Sequence, residues 1–283
     1  RTDSKVEDPG EEKRPAPRTD RFDLDTDLYT LRFDTERENI KGYSLLYFER
    51  GKIDWWQDDL CKTPAGAMDG NAHTEWLNFG FRNFYDWNAW EHLWITGGFD
   101  LADEYGETET RNVENGKVPF KANGRLDTIS PYLGVRYDVR LNDDWTLTPA
   151  IGSRYYIHTK YDNEWSPDAA LTLDWQERVQ LFVNGSRGVH YPGVYTRAVS
   201  SDYARDTLTA ETMDYVSGGT KIALDETADI LVTVFHTDAR NRIDKTATGY
   251  LNAGCMRATG VELSGHWRPT DDLAFFAGLT YTN

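Results

Sequence analysis

Cysteine is nearly missing: Cys61 and Cys255 are the only two in 283 residues. That is too few for a disulfide framework, and their spacing fits neither a zinc site nor a redox pair. Long apolar runs are missing as well. No stretch approaches the roughly 20 consecutive apolar residues a spanning helix requires, which excludes a helical membrane protein. Basic residues are in deficit, 31 Lys and Arg against 47 Asp and Glu for a formal charge of -16. Neutralising phosphates needs clustered Lys and Arg, so this balance argues against a nucleic-acid binder. The first residue is Arg1, with no apolar signal pattern after it, so localisation has to be read from the body of the chain. Catalytic signatures are also absent. His73, His92, His158, His190, His236 and His266 include no pair at i, i+4 around a Glu. Ser186 lacks the frame of a nucleophile elbow. Asp23, Asp25 and Asp27 open like a calcium loop but are followed by neither its Gly nor its closing Glu. The reading is a protein that is not an enzyme, with no catalytic residue, no metal-ligand set and no cofactor.

Aromatic rings are abundant instead, with 10 Trp and 16 Tyr in a chain only 39% hydrophobic. Amphipathic rings in such numbers suit a membrane-water interface or a sugar-stacking surface. The dominant pattern is alternation with period 2. Over 129–141, Ile129, Leu133, Val135, Tyr137 and Val139 share one face, while Ser130, Tyr132, Arg136, Asp138 and Arg140 share the other. Trp145, Leu147, Ile151 and Tyr155 then oppose Thr146, Thr148 and Arg154 across a turn at Asn142–Asp144, which predicts a hairpin. Similar pairs recur along the chain and predict about twelve strands. Residues 1–22, punctuated by Pro9, Pro15 and Pro17, read as a charged flexible arm or loop remnant, and 23–283 as the strand-rich segment.

The connections alternate in length. Short turns are expected at 36–39, 86–90, 142–144, 176–177, 225–227 and 269–272, with long connections at 51–72, 102–127, 158–167, 188–210 and 237–249. An up-and-down antiparallel sheet puts successive connections on opposite rims, so one rim is tight and the other bushy, as in bacterial outer-membrane barrels. Turning the 129–141 register over would set Arg136 and Arg140 in hydrocarbon at about 2–4 kcal/mol each near the midplane. A twelve-residue strand rising about 3.3 Å per residue at a tilt of about 40° spans roughly 30 Å, enough for the apolar band. Trp55, Trp56, Trp87, Trp90, Trp145, Trp175 and Trp267 are expected at strand ends, as girdles. Pro131 and Pro149, inside strands, require local bulges. The fold class is all-β, an antiparallel up-and-down transmembrane β-barrel. A passive porin-type barrel and a soluble all-β glycan-binding module share much of this pattern and stay open as alternatives.

The run Ser186-Arg187-Gly188-Val189-His190-Tyr191-Pro192 resembles a strand-end box of TonB-dependent outer-membrane receptors. Leu208-Thr209-Ala210-Glu211 with Gly219-Thr220-Lys221 resembles their "L-x-P-E, then G-x-K" pattern, Ala210 replacing the usual Pro. Tyr250-Leu251-Asn252, Gly260-Val261-Glu262 and Arg268–Leu273 resemble the closing segment. The resemblance covers roughly 75–283. It implies about twelve strands of a larger barrel of roughly 22, an incomplete segment without its plug domain. It further implies outer-membrane localisation and uptake of a scarce metal chelate such as a ferric siderophore, haem or corrinoid, driven by the inner-membrane TonB energy complex through the plug. Outer-membrane lipid and lipopolysaccharide are the remaining expected partners, the acidic run Asp103, Glu104, Glu107 and Glu109 being able to attract the divalent cations that crosslink it. Selectivity belongs in the long loops. Arg187, His190, Tyr191, Tyr195 and Arg197 are the ligand-binding candidates, because basic and aromatic side chains contact an anionic or aromatic chelate. Strand-end packing and girdle formation are the competing roles for each.

Overall fold

The computed structural model describes residues 2–7, 10–11, 14–15, 21–63, 66–112, 118, 120–198, 200, 206–246 and 249–283. Its strands are β1 Thr2–Glu7, β2 Gly10–Glu11, β3 Arg14–Pro15, β4 Arg21–Arg37, β5 Ile40–Thr63, β6 Gly66–Trp90, β7 Leu93–Asn112, β8 Phe120–Tyr137, β9 Val139–Arg140, β10 Trp145–His158, β11 Glu164–Trp175, β12 Val179–His190, β13 Glu211–Ala223, β14 Ala228–Thr246, β15 Gly249–Thr270 and β16 Leu273–Thr282. One short helix, α1 Val194–Ala198, follows β12. A single antiparallel sheet of 14 strands runs in chain order from β1 to β16, and a separate ribbon pairs β2 with β3. Setting aside β1 and the two-residue β9 leaves twelve long strands. Of the segment read as an arm, Thr2–Glu7 pairs with Arg21–Thr26, while much of the rest lies outside the described residues.

The sheet is two-sided as its alternation requires. Leu133 is 61% and Ile151 67% exposed, while Ser130, on the opposite face, is 3% exposed. Val135 pairs with both Ile95 and Ile151, and pairing keeps them on one side, so the apolar residues form a continuous outward belt. Among the described residues no protein core covers that belt, as a water-soluble module would require. Trp145 lies tilted against Trp175 at 6.2 Å and Trp267 stacks on Phe275 at 5.4 Å, both beside short turns.

Three expectations need correction. The long connections are much shorter than read. β5 and β6 continue through most of 51–72, β7 and β8 through most of 102–127, and β14 and β15 through most of 237–249. Above the belt both faces meet water, so the hydrogen-bonded ladder continues after the apolar alternation has ended. Trp55 and Trp56 accordingly lie within β5 and not at its end. The turn expected at 86–90 is the tight Glu91–His92 pair, where His92 takes a left-handed φ of 68°. The prolines produce no bulge. Ladder pairs on both sides of Pro131 and Pro149 keep the same register, and each proline is paired on its other flank, with Phe99 and Leu171. The missing N–H simply interrupts one ladder locally.

Outward positions above the belt become charged. Arg187 pairs with Asp214 at 2.7 Å, Arg240 with Asp238 at 3.1 Å and Arg257 with Asp238 at 3.6 Å, across four neighbouring strands. On the other half of the sheet Arg125 binds Asp103, and Lys121 binds Glu107. Asp103, Glu107 and Glu109 thus share this face, whereas Glu104 points inward.

Candidate functional site in the barrel lumen

The inward positions of β5, β6, β7, β8 and β10 meet at one height because register, not sequence proximity, lines them up. Tyr47 pairs with Gly80, Gly80 with Ala102 and Ala102 with Thr128, and Thr128 faces His158. Together with the end of β12 they enclose a cavity of about 440 Å³ whose wall includes Arg82, Asp100, Glu104, Arg154, Tyr156 and His190. Arg154 donates to Asp100 at 2.6 Å and to Ser130 at 3.2 Å, and Arg82 lies 3.3 Å from the same carboxylate. Asp100 is shared between the two guanidiniums, and Glu104 on the same wall balances the second of them.

Aromatic rings crowd the upper end of this cavity. Tyr191 lies 4.5 Å from His158, 5.8 Å from Tyr161 and 6.1 Å from Tyr156. Its hydroxyl donates to the Asp162 carbonyl at 3.0 Å, and burial holds its phenol well above the usual range. The His158 imidazole is pushed down from its ordinary value by burial, with Arg197 adding to the effect and Asp127 opposing it. Its Nδ1 accepts the Lys160 N–H at 3.1 Å, a bond that only the unprotonated nitrogen can make. The Arg197 guanidinium covers the Tyr161 ring at 5.7 Å.

The segment after β12 folds inward over this cluster. Pro192 is fully buried, and Val194 and Tyr191 pack against Leu126, Tyr161 and Leu208. Helix α1 rests on the inner wall where Gly106 pairs with Gly124. A Cβ on either glycine would come 3.1 or 3.2 Å from the Val194 methyl, so the two bare positions form the seat for the helix. The Ser200 hydroxyl accepts the Tyr250 N–H at 3.1 Å and donates to Thr196 O at 2.7 Å, tying the segment to β15.

Of the residues singled out in the sequence, His190 and Tyr191 line the cavity of about 440 Å³. Tyr195, on α1, faces a smaller cavity of about 210 Å³ with Trp76, Asn78 and Glu104. Arg197, on the same helix, caps Tyr161. Arg187 is not brought to them: it lies on the outward face with Asp214. Sequence reasoning missed Arg82, Asp100, Arg154, Tyr156 and His158 as a group, although Arg154 was legible as inward-facing. Only strand register could have assembled them. Among the described residues no group of acidic, His or Cys side chains is arranged to hold a metal ion.

No curated protein matches the sequence. The sequence does fit the family described as "TonB dependent receptor-like, beta-barrel" over residues 3–283. Among solved structures, the ferric-catecholate import receptor Fiu of E. coli K12 superposes with a TM-score of 0.67 at 15% identity, covering 94% of this chain and 48% of that one. The copper transporter OprC gives 0.67 at 12%, with coverages of 95% and 48%. The ferric yersiniabactin uptake receptor FyuA of Yersinia pestis gives 0.69 at 13%, with 93% and 43%. The chain therefore spans about half the length of the structures it matches, and at these identities the likeness is one of fold. An outward apolar belt, a wet and partly charged lumen and a match running almost from end to end agree: the chain belongs to the TonB-dependent receptor β-barrel family, transporters and not enzymes, of the bacterial outer membrane.

Proposed function

We infer that the protein works as an uptake receptor for a scarce metal chelate, a ferric siderophore, haem or corrinoid, with the TonB energy complex acting through a plug domain to drive release inward. The observation that carries this reading is the cavity of about 440 Å³ bounded by the inward-folded residues between β12 and α1, with Arg82, Arg154, Asp100, Glu104 and three tyrosines in its wall. His190 and Tyr191 are the ligand contacts in this reading, with Tyr195 and Arg197 on the cap that closes over the ligand. Arg187, with Asp214, Asp238 and Arg257, serves the outer face, where the charged row meets lipopolysaccharide headgroups.

The test is uptake by iron-starved cells with and without the gene, supplied with iron-55 chelates of several classes, haem and cobalamin. One of these should accumulate only when the gene is present. His190→Ala and Tyr191→Ala should then lower its affinity by about tenfold, the scale of one lost charge-assisted or stacking contact, with the amount of folded barrel unchanged. Unchanged affinity in both variants would remove the loop site.

A further inference from the structure

The connection between β12 and β13 is fastened at two places that differ in chemistry. At one, Val194 sits over Gly106 and Gly124, Tyr191 lies on the His158 ring and Arg197 covers Tyr161. At the other, the Thr209 N–H donates to Asn252 Oδ1 at 2.8 Å, the Asn252 amide donates back to the Thr209 carbonyl at 3.0 Å, and Ser200 accepts the Tyr250 N–H at 3.1 Å. This second fastening, on β15, is made of backbone, amide and hydroxyl groups, none of which changes charge between pH 5 and 8. The first contains a histidine.

His158 is placed so that a proton on it disturbs what it touches. Its Nδ1 accepts the Lys160 N–H at 3.1 Å, and a protonated Nδ1 has no lone pair to offer that donor. Tyr191 lies 4.5 Å from the ring and Tyr161 4.8 Å, and the Arg197 guanidinium lies 5.7 Å from the same Tyr161 ring. An imidazolium would share one phenol with a permanent cation. Among the described residues no carboxylate contacts the imidazole to offset that charge. Asp127 of β8 attracts a proton to the ring, but its carboxylate lies 3.5 Å from the Arg125 guanidinium. Asp162 and Glu164 act on the Tyr191 phenol. In the cavity wall that His158 shares, Glu104 acts on His190, and Arg154 and Arg82 are bound to Asp100. The Lys160 side chain adds a further cation to the turn after β10. The direction of the effect follows from linkage. The packed contact belongs to the neutral ring, so acid favours the form in which the ring reaches water, and the segment is held above the titration and loosened below it.

We propose that His158 is an acid-sensitive fastening: neutral, it holds the α1 segment on the inner wall, and protonated, it frees that end while the β15 end stays tied. The fastening is independent of what the receptor carries, so it goes beyond the uptake reading and does not rest on it. The experiment is amide hydrogen exchange of residues 193–198, read by mass spectrometry on the full protein in lipid vesicles at pH 7 and pH 5, each rate corrected for its intrinsic pH dependence. In the unmodified protein the protection of this segment should fall at least threefold from pH 7 to pH 5, while the β10 amides of 146–156 keep theirs. His158→Phe, which keeps a ring between the tyrosines, and His158→Gln, which keeps an acceptor, gain no charge in acid and should protect the segment equally at both pH values. His190→Gln, in the same cavity, should respond to acid as the unmodified protein does. Equal protection at the two pH values in the unmodified protein overturns the proposal. So does an acid loss that persists in both His158 variants, or one that disappears in His190→Gln. A loss that extends to the β10 amides overturns it too, because the whole wall has then loosened.

Discussion

His158 shows how much a single side chain can depend on its burial. The ring is packed between Tyr161 and Tyr191, and its Nδ1 is committed as an acceptor to the Lys160 N–H. Both facts favour the neutral imidazole, in agreement with a pKa displaced below 6.5. A group whose folded pKa is depressed contributes stability above its unfolded value, and that contribution is lost as pH falls through the folded pKa. Titration by NMR should therefore give His158 a midpoint below 6.5. Hydrogen exchange at Lys160, corrected for its intrinsic rate, should quicken as pH falls below that midpoint. A midpoint at or above the ordinary value would mean that the cluster does not exclude water. At this scale the sequence pointed to His190 and Tyr191, because they belong to a contiguous box next to a long connection. It could not point to His158 or Tyr156, whose roles come from neighbours contributed by other strands.

At the scale of the strand, sidedness decides what a substitution costs. Leu133 lies on the outward face of β8 within the apolar belt, between Ile129 and Tyr137, flanked in register by Gly97 and Ser153. Leu133→Arg places a charge in hydrocarbon and should lower unfolding stability by about 2–4 kcal/mol. Gly134→Ser, one residue away and facing inward, meets nothing closer than 3.5 Å and should change stability by less than about 0.5 kcal/mol. Urea titrations of both variants in lipid vesicles check the contrast, and equal effects would contradict the sidedness. The strands inside the membrane were legible because two different solvents write a period-2 pattern. Their upper extensions were not, since Lys52, Glu75 and Glu107 follow one another across β5, β6 and β7 in a setting that is wet on both sides. Charges there read as loop, while backbone hydrogen bonds, which the side-chain pattern does not record, keep the strands paired.

For the molecule as a whole, the belt and its girdle fix the depth in the bilayer. Trp87, Trp145, Trp175 and Trp267 lie beside the short turns, where amphipathic rings meet headgroups. In vesicles, lipids brominated near the headgroup should quench tryptophan fluorescence more strongly than lipids brominated near the chain ends. The reverse order would place the girdle in the hydrocarbon interior. The sequence by itself determined the all-β class, the lipid-facing positions and the short-turn rim, because alternation between two media and turn chemistry are local properties of the chain. The tertiary structure alone decided that Arg187 turns outward to Asp214, that α1 folds inward onto Gly106 and Gly124, and which inward side chains form one wall. Those outcomes depend on pairing between strands far apart in sequence, where a shift of one residue would exchange the two faces.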